Sequence, residues 1–312
     1  MAKVLVTGGA GFIGSHLATH FVERGDEVRV IDNFATGRKE NLSHLGDRCE
    51  LITGDIRDLE QCLSACDGVE FVFHEAAIPS VPKSVEEPQA SHDTNVNGTF
   101  NVLRAAAERK VRRVIYAGSS SVYGDSEESP KHEEIVQAPL SPYAAQKCLG
   151  EHYCRAFSEC FGLETITLRY FNVFGSRQDP SSQYAAAIPA FAVAILKDEP
   201  PTVYGDGEQT RDFTYVDNVV YGNVLAMQAD RTHGEAVNIA CGDRISVNQV
   251  IGAINVALGK DVRPRYEDAR PGDVKHSCAD ITRAETMLGF KPQVSFEEGL
   301  RRAIDHYRQY AG

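Results

Sequence analysis

An apolar run, Lys3-Val4-Leu5-Val6-Thr7, passes without a break into Gly8-Gly9-Ala10-Gly11-Phe12-Ile13-Gly14. Apolar residues then recur at helical spacing (Ile13, Leu17, Phe21, Val22), and a second apolar run, Val28 to Ile31, ends at Asp32. The order is strand, glycine turn, helix, strand, acid. It predicts two buried parallel strands joined by a helix, the start of a doubly wound α/β sheet. One glycine permits the tight turn, one lets a pyrophosphate reach the backbone, and one lets helix and strand pack closely. The helix start offers free N–H groups to phosphates. Asp32 lies eighteen residues past Gly14, where an acid bonds the ribose hydroxyls of a dinucleotide. It would repel a 2′-phosphate, so NAD is expected over NADP.

Further runs continue the alternation. Gly54-Asp55-Ile56-Arg57-Asp58 closes a third strand, and Phe71 to His74 is a fourth, followed by the small-residue turn Glu75-Ala76-Ala77. Thr94 to Thr99 opens a helix, in which Asn95 can be read as a cap. Val111 to Ala117 is a fifth strand, Thr165 to Tyr170 a sixth and Ala236 to Ala240 a short later one. Beyond Gly175 the alternation stops, as for a smaller second domain. The division expected is residues 1–175 plus 213–240 for a dinucleotide-binding Rossmann-type domain. Residues 176–212 plus 241–312 then form a smaller α/β domain. At 312 residues the chain has room for both.

The net charge of −12 argues against general nucleic-acid binding. No apolar run approaches the ~18 residues that span a bilayer, and the opening residues lack a signal-peptide layout. The eight cysteines include no Cys-x-x-Cys pair, so no metal site is expected. They are expected to be reduced and mostly buried, in the cytoplasm.

Two stretches carry chemistry. The fifth strand runs into Gly118-Ser119-Ser120-Ser121-Val122-Tyr123-Gly124. Sites in parallel sheets collect beyond the carboxyl ends of strands, so serines there can bond a substrate hydroxyl, although serine and glycine are also turn formers. Then comes Ser141-Pro142-Tyr143-Ala144-Ala145-Gln146-Lys147. Pro142 suits a first helical position, which puts Tyr143 and Lys147 one turn apart on one face. The ammonium is expected to lower the tyrosine pKa from about 10 towards the working pH. Taken alone, the pair also fits a packed tyrosine beside a solvated lysine.

The Gly-x-x-Gly-x-x-Gly turn, Asp32, and Tyr143 four residues before Lys147 together resemble the short-chain dehydrogenase/reductase family. The likeness is to its extended branch of nucleotide-sugar epimerases and dehydratases, and it runs the length of the chain. It implies a catalytic set of Ser119, Tyr143 and Lys147. It implies NAD contacts from Gly8, Gly11, Phe12, Ile13, Gly14, Asp32, Asn33, Asp55, Ile56, Ala76, Ala77, Asn95, Tyr143, Lys147 and Tyr170, with Asp55 at the adenine and Asn95 bracing the central helix. Family dimers pack helices like those expected near 91–109 and 143–161, so a homodimer is implied.

Arg211 and Arg270 stand in turn-rich settings, where guanidinium forks suit an anion. The resemblance places both, with Asn172, on the diphosphate of a UDP-sugar. It places Ala187, Val203 and Tyr204 around the uracil, and adds Ser80, Ser119, Ser121, Asp273 and Ser277 to the substrate side. Sugar 4,6-dehydratases carry Asp-Glu after the catalytic hydroxyl residue. Ser120 and Ser121 stand here, so dehydration lacks its acid and base.

Arg177-Gln178-Asp179-Pro180, Tyr184-Ala185-Ala186 and Gly272 to Ser277 resemble bacterial UDP-N-acetylglucosamine 4-epimerases. Epimerases restricted to UDP-glucose resemble one another in a tyrosine seven residues after the loop arginine. Ser277 stands there and leaves room for an N-acetyl group. The expectation is an NAD-dependent 4-epimerase acting on UDP-N-acetylglucosamine and UDP-N-acetylgalactosamine, with UDP-glucose and UDP-galactose also open. The alternatives are UDP-glucuronate 4-epimerisation, which the acid at Asp179 weakens, another nucleotide-sugar oxidoreductase or dehydratase, and a non-catalytic NAD-binding regulator.

Overall fold

The computed structural model describes residues 1–180, 187–268 and 276–310. Its strands are β1 (Lys3–Thr7), β2 (Glu27–Asp32), β3 (Cys49–Thr53), β4 (Phe71–His74), β5 (Arg113–Ser119), β6 (Glu164–Tyr170), β7 (Val173–Phe174), β8 (Thr202–Tyr204), β9 (Thr210–Arg211), β10 (Thr214–Tyr215), β11 (Glu235–Ile239), β12 (Ile245–Ser246) and β13 (Arg265–Glu267). Its α-helices are α1 (Phe12–Arg24), α2 (Leu59–Ala65), α3 (Val81–Glu86), α4 (Pro88–His92), α5 (Thr99–Glu108), α6 (Pro142–Phe161), α7 (Ala187–Leu196), α8 (Val216–Gln228), α9 (Val247–Leu258), α10 (Thr282–Leu288) and α11 (Phe296–Arg308).

Seven strands form one parallel sheet in the order β3-β2-β1-β4-β5-β6-β11. The order reverses between β1 and β4, the switch point where ligands bind in open α/β sheets. Side chains alternate across the sheet as strand geometry requires. Val4, Val6 and Phe73 face a core with Leu17 and Phe21 of α1 and Val219 of α8. Leu5, Val72 and Val114 face the opposite core, with Val102 of α5 and Phe157 of α6. Both faces are covered, which is why the strands read as near-continuous apolar runs. A third core joins α7, α9 and α11 through residues such as Phe191, Ile251 and Leu300.

One expectation changes in detail. The helix expected from residue 91 to 109 is interrupted: Asp93–Gly98 winds as a π-helix between α4 and α5. Asn95, inside that segment, is therefore not a helix cap. Its Oδ1 accepts from the Ile78 N–H at 2.8 Å, and its Nδ2 donates to Ile78 O at 3.1 Å and to Gln146 Oε1 at 2.8 Å. The wider turn aims one buried amide at Ile78, Gln146 and Ser91, and π segments often mark functional sites. The described part of the helix expected from Tyr184 to Lys197 runs from Ala187 to Leu196.

Candidate active site

The glycine turn is built as its spacing demands. Gly8 has φ +66°, and a Cβ on it would sit 2.7 Å from Ala76 Cα. A Cβ on Gly14 would meet Gly8 O at 2.4 Å. The backbone therefore approaches the β4 turn and packs on α1 with no room for side chains. The first turn of α1 has neither a side-chain cap nor an acid, so nothing of the protein's own competes there for an anion. A cleft opens here, and Gly8, Gly11, Phe12, Ile13, Gly14, Asp32, Asn33, Ile56, Ala76 and Ala77 line it. Asp32 Oδ2 accepts from Ala10 N at 2.9 Å and Oδ1 from Phe34 N at 2.7 Å. The carboxylate is oriented from both sides and keeps lone pairs for hydroxyls. These features fit a dinucleotide such as NAD.

Asp55 pairs with Arg57 at 2.6 Å and accepts from Asn33 Nδ2 at 2.9 Å. Bonding to Arg57 holds its carboxyl down at about 2. Asn95 is buried beneath the cleft and reaches it through Ile78, which is on the wall.

Tyr143 and Lys147 lie on α6, which Ser141 caps by accepting from Ala144 N at 3.2 Å, with Pro142 in the first turn. The Ser119 hydroxyl, at the carboxyl end of β5, bears on the Tyr143 phenol and favours its ionised form. Ser119 Oγ also accepts from Ser121 N at 3.2 Å and from Ser121 Oγ at 2.9 Å. Lys147 Nζ donates to Ala117 O at 2.8 Å and lies 5.9 Å from the centre of the Tyr143 ring. Burial pushes its ammonium down to about 8, against the opposing pull of Glu75 and Glu151.

The expected fall of the Tyr143 pKa is overturned. Burial raises it, the Ser119 hydroxyl lowers it, and the charge of Glu75 raises it again. Desolvating a phenolate costs more here than its surroundings return. The spacing of Tyr143 and Lys147 could not show Glu75, which enters from another strand. In the sequence it stands only as the first residue of a small-residue turn. The available signal was an acid directly after β4, where sites collect. Tyr170, on β6, donates to Glu75 Oε1 at 2.8 Å.

On the substrate side, Asn172 is exposed, has φ +32° and donates to Asp212 O at 2.9 Å. Asparagine tolerates this left-handed backbone better than most residues. Arg211 is half-buried on β9. Ser277 N donates to Thr210 O at 3.1 Å, which sets Ser277 beside that strand. Asp212, fully buried and absent from the sequence reading, accepts from the N–H groups of Cys241, Gly242 and Ala279. It joins three segments around Arg211.

Ala187 opens α7. Tyr204 is half-buried, whereas the neighbouring Val203 is fully buried in the third core, since alternate strand residues face opposite ways. Ser80 caps α3 by accepting from Lys83 N. Asp179 pairs with Arg38 at 2.5 Å. Arg270 and Asp273, with Tyr184-Ala185-Ala186 and Gly272 to Lys275, lie outside the described residues. Among the described residues no His/Cys/Asp/Glu group could hold a metal ion, and no helix is long and apolar enough to cross a membrane.

A parallel sheet ordered in this way, with the glycine turn at its switch point and a Ser/Tyr/Lys cluster beside it, defines a dinucleotide-binding protein of the short-chain dehydrogenase/reductase type. The profile of the NAD dependent epimerase/dehydratase family matches residues 4–240, and the chain belongs to that family. It is 38% identical over 305 residues, with 97% of each chain covered, to a putative UDP-glucose 4-epimerase of Methanocaldococcus jannaschii. Among solved structures it resembles a UDP-N-acetylglucosamine 4-epimerase from Methanobrevibacter ruminantium in complex with UDP-N-acetylmuramic acid. That match has a TM-score of 0.94 at 40% identity and covers 99% of each chain. It also resembles the UDP-glucose 4-epimerase of Thermotoga maritima with UDP-glucose. There the TM-score is 0.93 at 37% identity, covering 99% of this chain and 100% of that one.

Proposed function

We propose that the chain is an NAD-dependent 4-epimerase of a UDP-hexose, with UDP-N-acetylglucosamine and UDP-N-acetylgalactosamine as the favoured pair. The observation that carries the reading is the convergence of Ser119, at the carboxyl end of β5, with Tyr143 and Lys147 of α6, where Lys147 bonds Ala117 O two residues before Ser119 and lies 5.9 Å from the centre of the Tyr143 ring. Ser120 and Ser121, in place of an acid pair, favour epimerisation over elimination.

Gly8, Gly11, Gly14 and Asp32 hold the dinucleotide, and Lys147 holds its nicotinamide end. Bound NAD supplies reversible hydride transfer at the sugar C4, so the sugar passes through a 4-keto form with no net redox change. Tyr143 Oη takes the proton from the sugar 4′-hydroxyl and returns it. Ser119 Oγ bonds the same hydroxyl and relays the proton. The Lys147 ammonium favours the phenolate while the proton is in transit. Asn172, Arg211 and Arg270 grip the diphosphate, so the sugar can turn over while the nucleotide stays fixed. Ser277 leaves space for the N-acetyl group.

The division of labour follows the chain. Residues 1–175 with 213–240 bind the dinucleotide, and 176–212 with 241–312 bind the nucleotide sugar. A homodimer through α5 and α6 would cover Phe100, Leu149 and Phe161, which are exposed on those helices.

Nuclear magnetic resonance of the purified protein with UDP-N-acetylglucosamine, UDP-glucose and UDP-glucuronate in turn tests the reading. Interconversion at C4, fastest for the first and without accumulation of NADH, is expected. If none of the three is epimerised, the reading is wrong.

A further inference from the structure

Lysine carries its charge at the end of a flexible four-carbon stem, so a buried ammonium keeps one place only if its surroundings hold it. Lys147 is buried in the middle of α6. Its Nζ donates to Ala117 O at 2.8 Å and lies over the ring of Tyr116, 5.0 Å from the ring centre. The Tyr143 ring stands further off, at 5.9 Å. Tyr116 and Ala117 are neighbours on β5, and both of the groups they offer to the ammonium, a ring face and a carbonyl, are neutral.

The Tyr116 ring is itself held from several sides. Strand alternation sends Ala117 to the core shared with α1 and α8, and Tyr116 to the core shared with α5 and α6. Tyr116 is fully buried there. On β4, His74 pairs in register with Tyr116, and the two rings lie 5.6 Å apart. His74 is bonded to Thr7 Oγ1 at 2.7 Å and to Thr99 Oγ1 at 2.9 Å, so it backs the tyrosine as a fixed wall. On α6, Gly150 lies three residues past Lys147, on the same helix face. A Cβ on Gly150 would overlap the Tyr116 hydroxyl and stand 2.8 Å from ring carbon Cε1. Glycine inside a helix is weaker than alanine. Here the missing side chain is what gives the ring its seat under the ammonium.

We propose that Tyr116 is a positioning residue for Lys147: the face of its ring, seated against Gly150, holds the ammonium at the carboxyl end of β5 without neutralising it. The proposal rests on the epimerase reading for its consequence in turnover, not for the contact itself. A cation within about 6 Å of an aromatic centre is drawn to the negative ring face, and more strongly where water is excluded. A carboxylate in the same place would grip the ammonium and cancel its charge. The ring and the carbonyl fix its position and leave the whole positive charge for the Tyr143 phenolate that the proposed reaction forms. The ring face does this rather than the hydroxyl. Phenylalanine can therefore replace Tyr116, and an aliphatic side chain cannot.

The test compares Tyr116→Phe, which keeps the ring, with Tyr116→Leu, which removes it. Nuclear magnetic resonance of isotope-labelled lysine follows the Cε protons of Lys147, and Lys147→Arg identifies their signal. A ring face beside the ammonium shifts these protons upfield. The upfield signal is expected in the unaltered protein and in Tyr116→Phe, and it should move downfield in Tyr116→Leu. Turnover with NAD in excess should fall at least ~10-fold in Tyr116→Leu, since misplacing a reacting group by about 1 Å can cost ~10²-fold. The KM for UDP-N-acetylglucosamine should stay the same, and Tyr116→Phe should keep both parameters. Leucine leaves a void beside Gly150, so Tyr116→Leu combined with Gly150→Ala refills part of it, and stands in should the single variant fail to fold. This pair should be the more stable of the two, yet keep the downfield signal and the low turnover. A Lys147 signal that is the same with and without the ring overturns the proposal. So does a combined variant that regains full turnover, or a Tyr116→Phe that loses as much as Tyr116→Leu. The expected shifts in a protein that epimerises none of the UDP-sugars support the contact and reject the epimerase reading instead.

Discussion

Lys147 donates from Nζ to the carbonyl oxygen of Ala117 at 2.8 Å, tying the middle of α6 to the carboxyl end of β5. Because β5 also carries Ser119, this bond fixes the separation of the two elements that bring Ser119 and Tyr143 together. The ammonium is held by a neutral carbonyl rather than a carboxylate, so its charge remains available to an anion forming nearby.

The first prediction concerns that anion. Tyr143→Phe removes the hydroxyl and keeps the ring. Turnover is expected to fall at least ~10²-fold, the lower end of what general acid/base groups contribute. UDP affinity, measured by calorimetry, should stay within a few-fold. Near-unaltered turnover would remove Tyr143 from the mechanism.

Gly14→Ala tests the glycine turn. The added Cβ would lie 2.4 Å from Gly8 O, which is backbone and cannot swing aside. A destabilisation of about 1–3 kcal/mol is expected from overpacking, together with loss of co-purifying NAD. Denaturant titration and cofactor content read the two effects separately. A variant of full stability that retains NAD would contradict the close approach.

The sugar pocket can be narrowed on purpose. Ser277→Tyr places a ring where the N-acetyl group is expected to sit, beside Thr210. The ratio of kcat/KM for UDP-N-acetylglucosamine over UDP-glucose should drop by at least ~10-fold, within the range that pocket size alone commands. An unchanged ratio would take Ser277 out of the specificity argument.

Arg169 and Glu151 form an ion pair at 2.8 Å in which both side chains are buried, and Arg169 also donates to the Tyr123 hydroxyl at 2.9 Å. Arg169→Met leaves an uncompensated carboxylate. Such losses cost about 3–5 kcal/mol, which a denaturation midpoint would register. A change below ~1 kcal/mol would mean that the carboxylate finds water or a proton at little cost.

Acid should destabilise the fold through two histidines. Burial pushes His74 down to about 3 and His16 to about 4, from an ordinary value of 6.5. A depressed folded-state pKa contributes stability above the unfolded value, and that stability is lost as the pH falls through the folded one. Glu75 acts in the opposite sense. Raised to about 7 from 4.5, it contributes stability below its unfolded value that is lost as the pH rises. The net loss on acidification should therefore be shallower between about pH 6.5 and about pH 4.5, where Glu75, and Asp212 raised to about 6, offset part of what the histidines lose. Urea midpoints that fall as steeply from about pH 6.5 to about pH 4.5 as they do below it would contradict this assignment.

The sequence by itself determined the sheet, the glycine turn and the pairing of Tyr143 with Lys147. Those features are written in local spacing. A strand buried on both faces needs an unbroken apolar run, a pyrophosphate turn needs glycines, and residues four apart on a helix share a face. Only the tertiary structure decided the surroundings of that pair. Glu75 comes from β4, Tyr170 from β6 and Asn223 from α8, and nothing in their spacing along the chain announces that they converge. The π-helical turn that turns Asn95 toward Ile78 and Gln146 was hidden for the same reason. So was Asp212, whose three N–H partners come from two distant segments. Proton affinity depends on burial and on charges brought close through space. The pKa of Tyr143, which the sequence alone would have lowered, is therefore raised by burial and by the charge of Glu75.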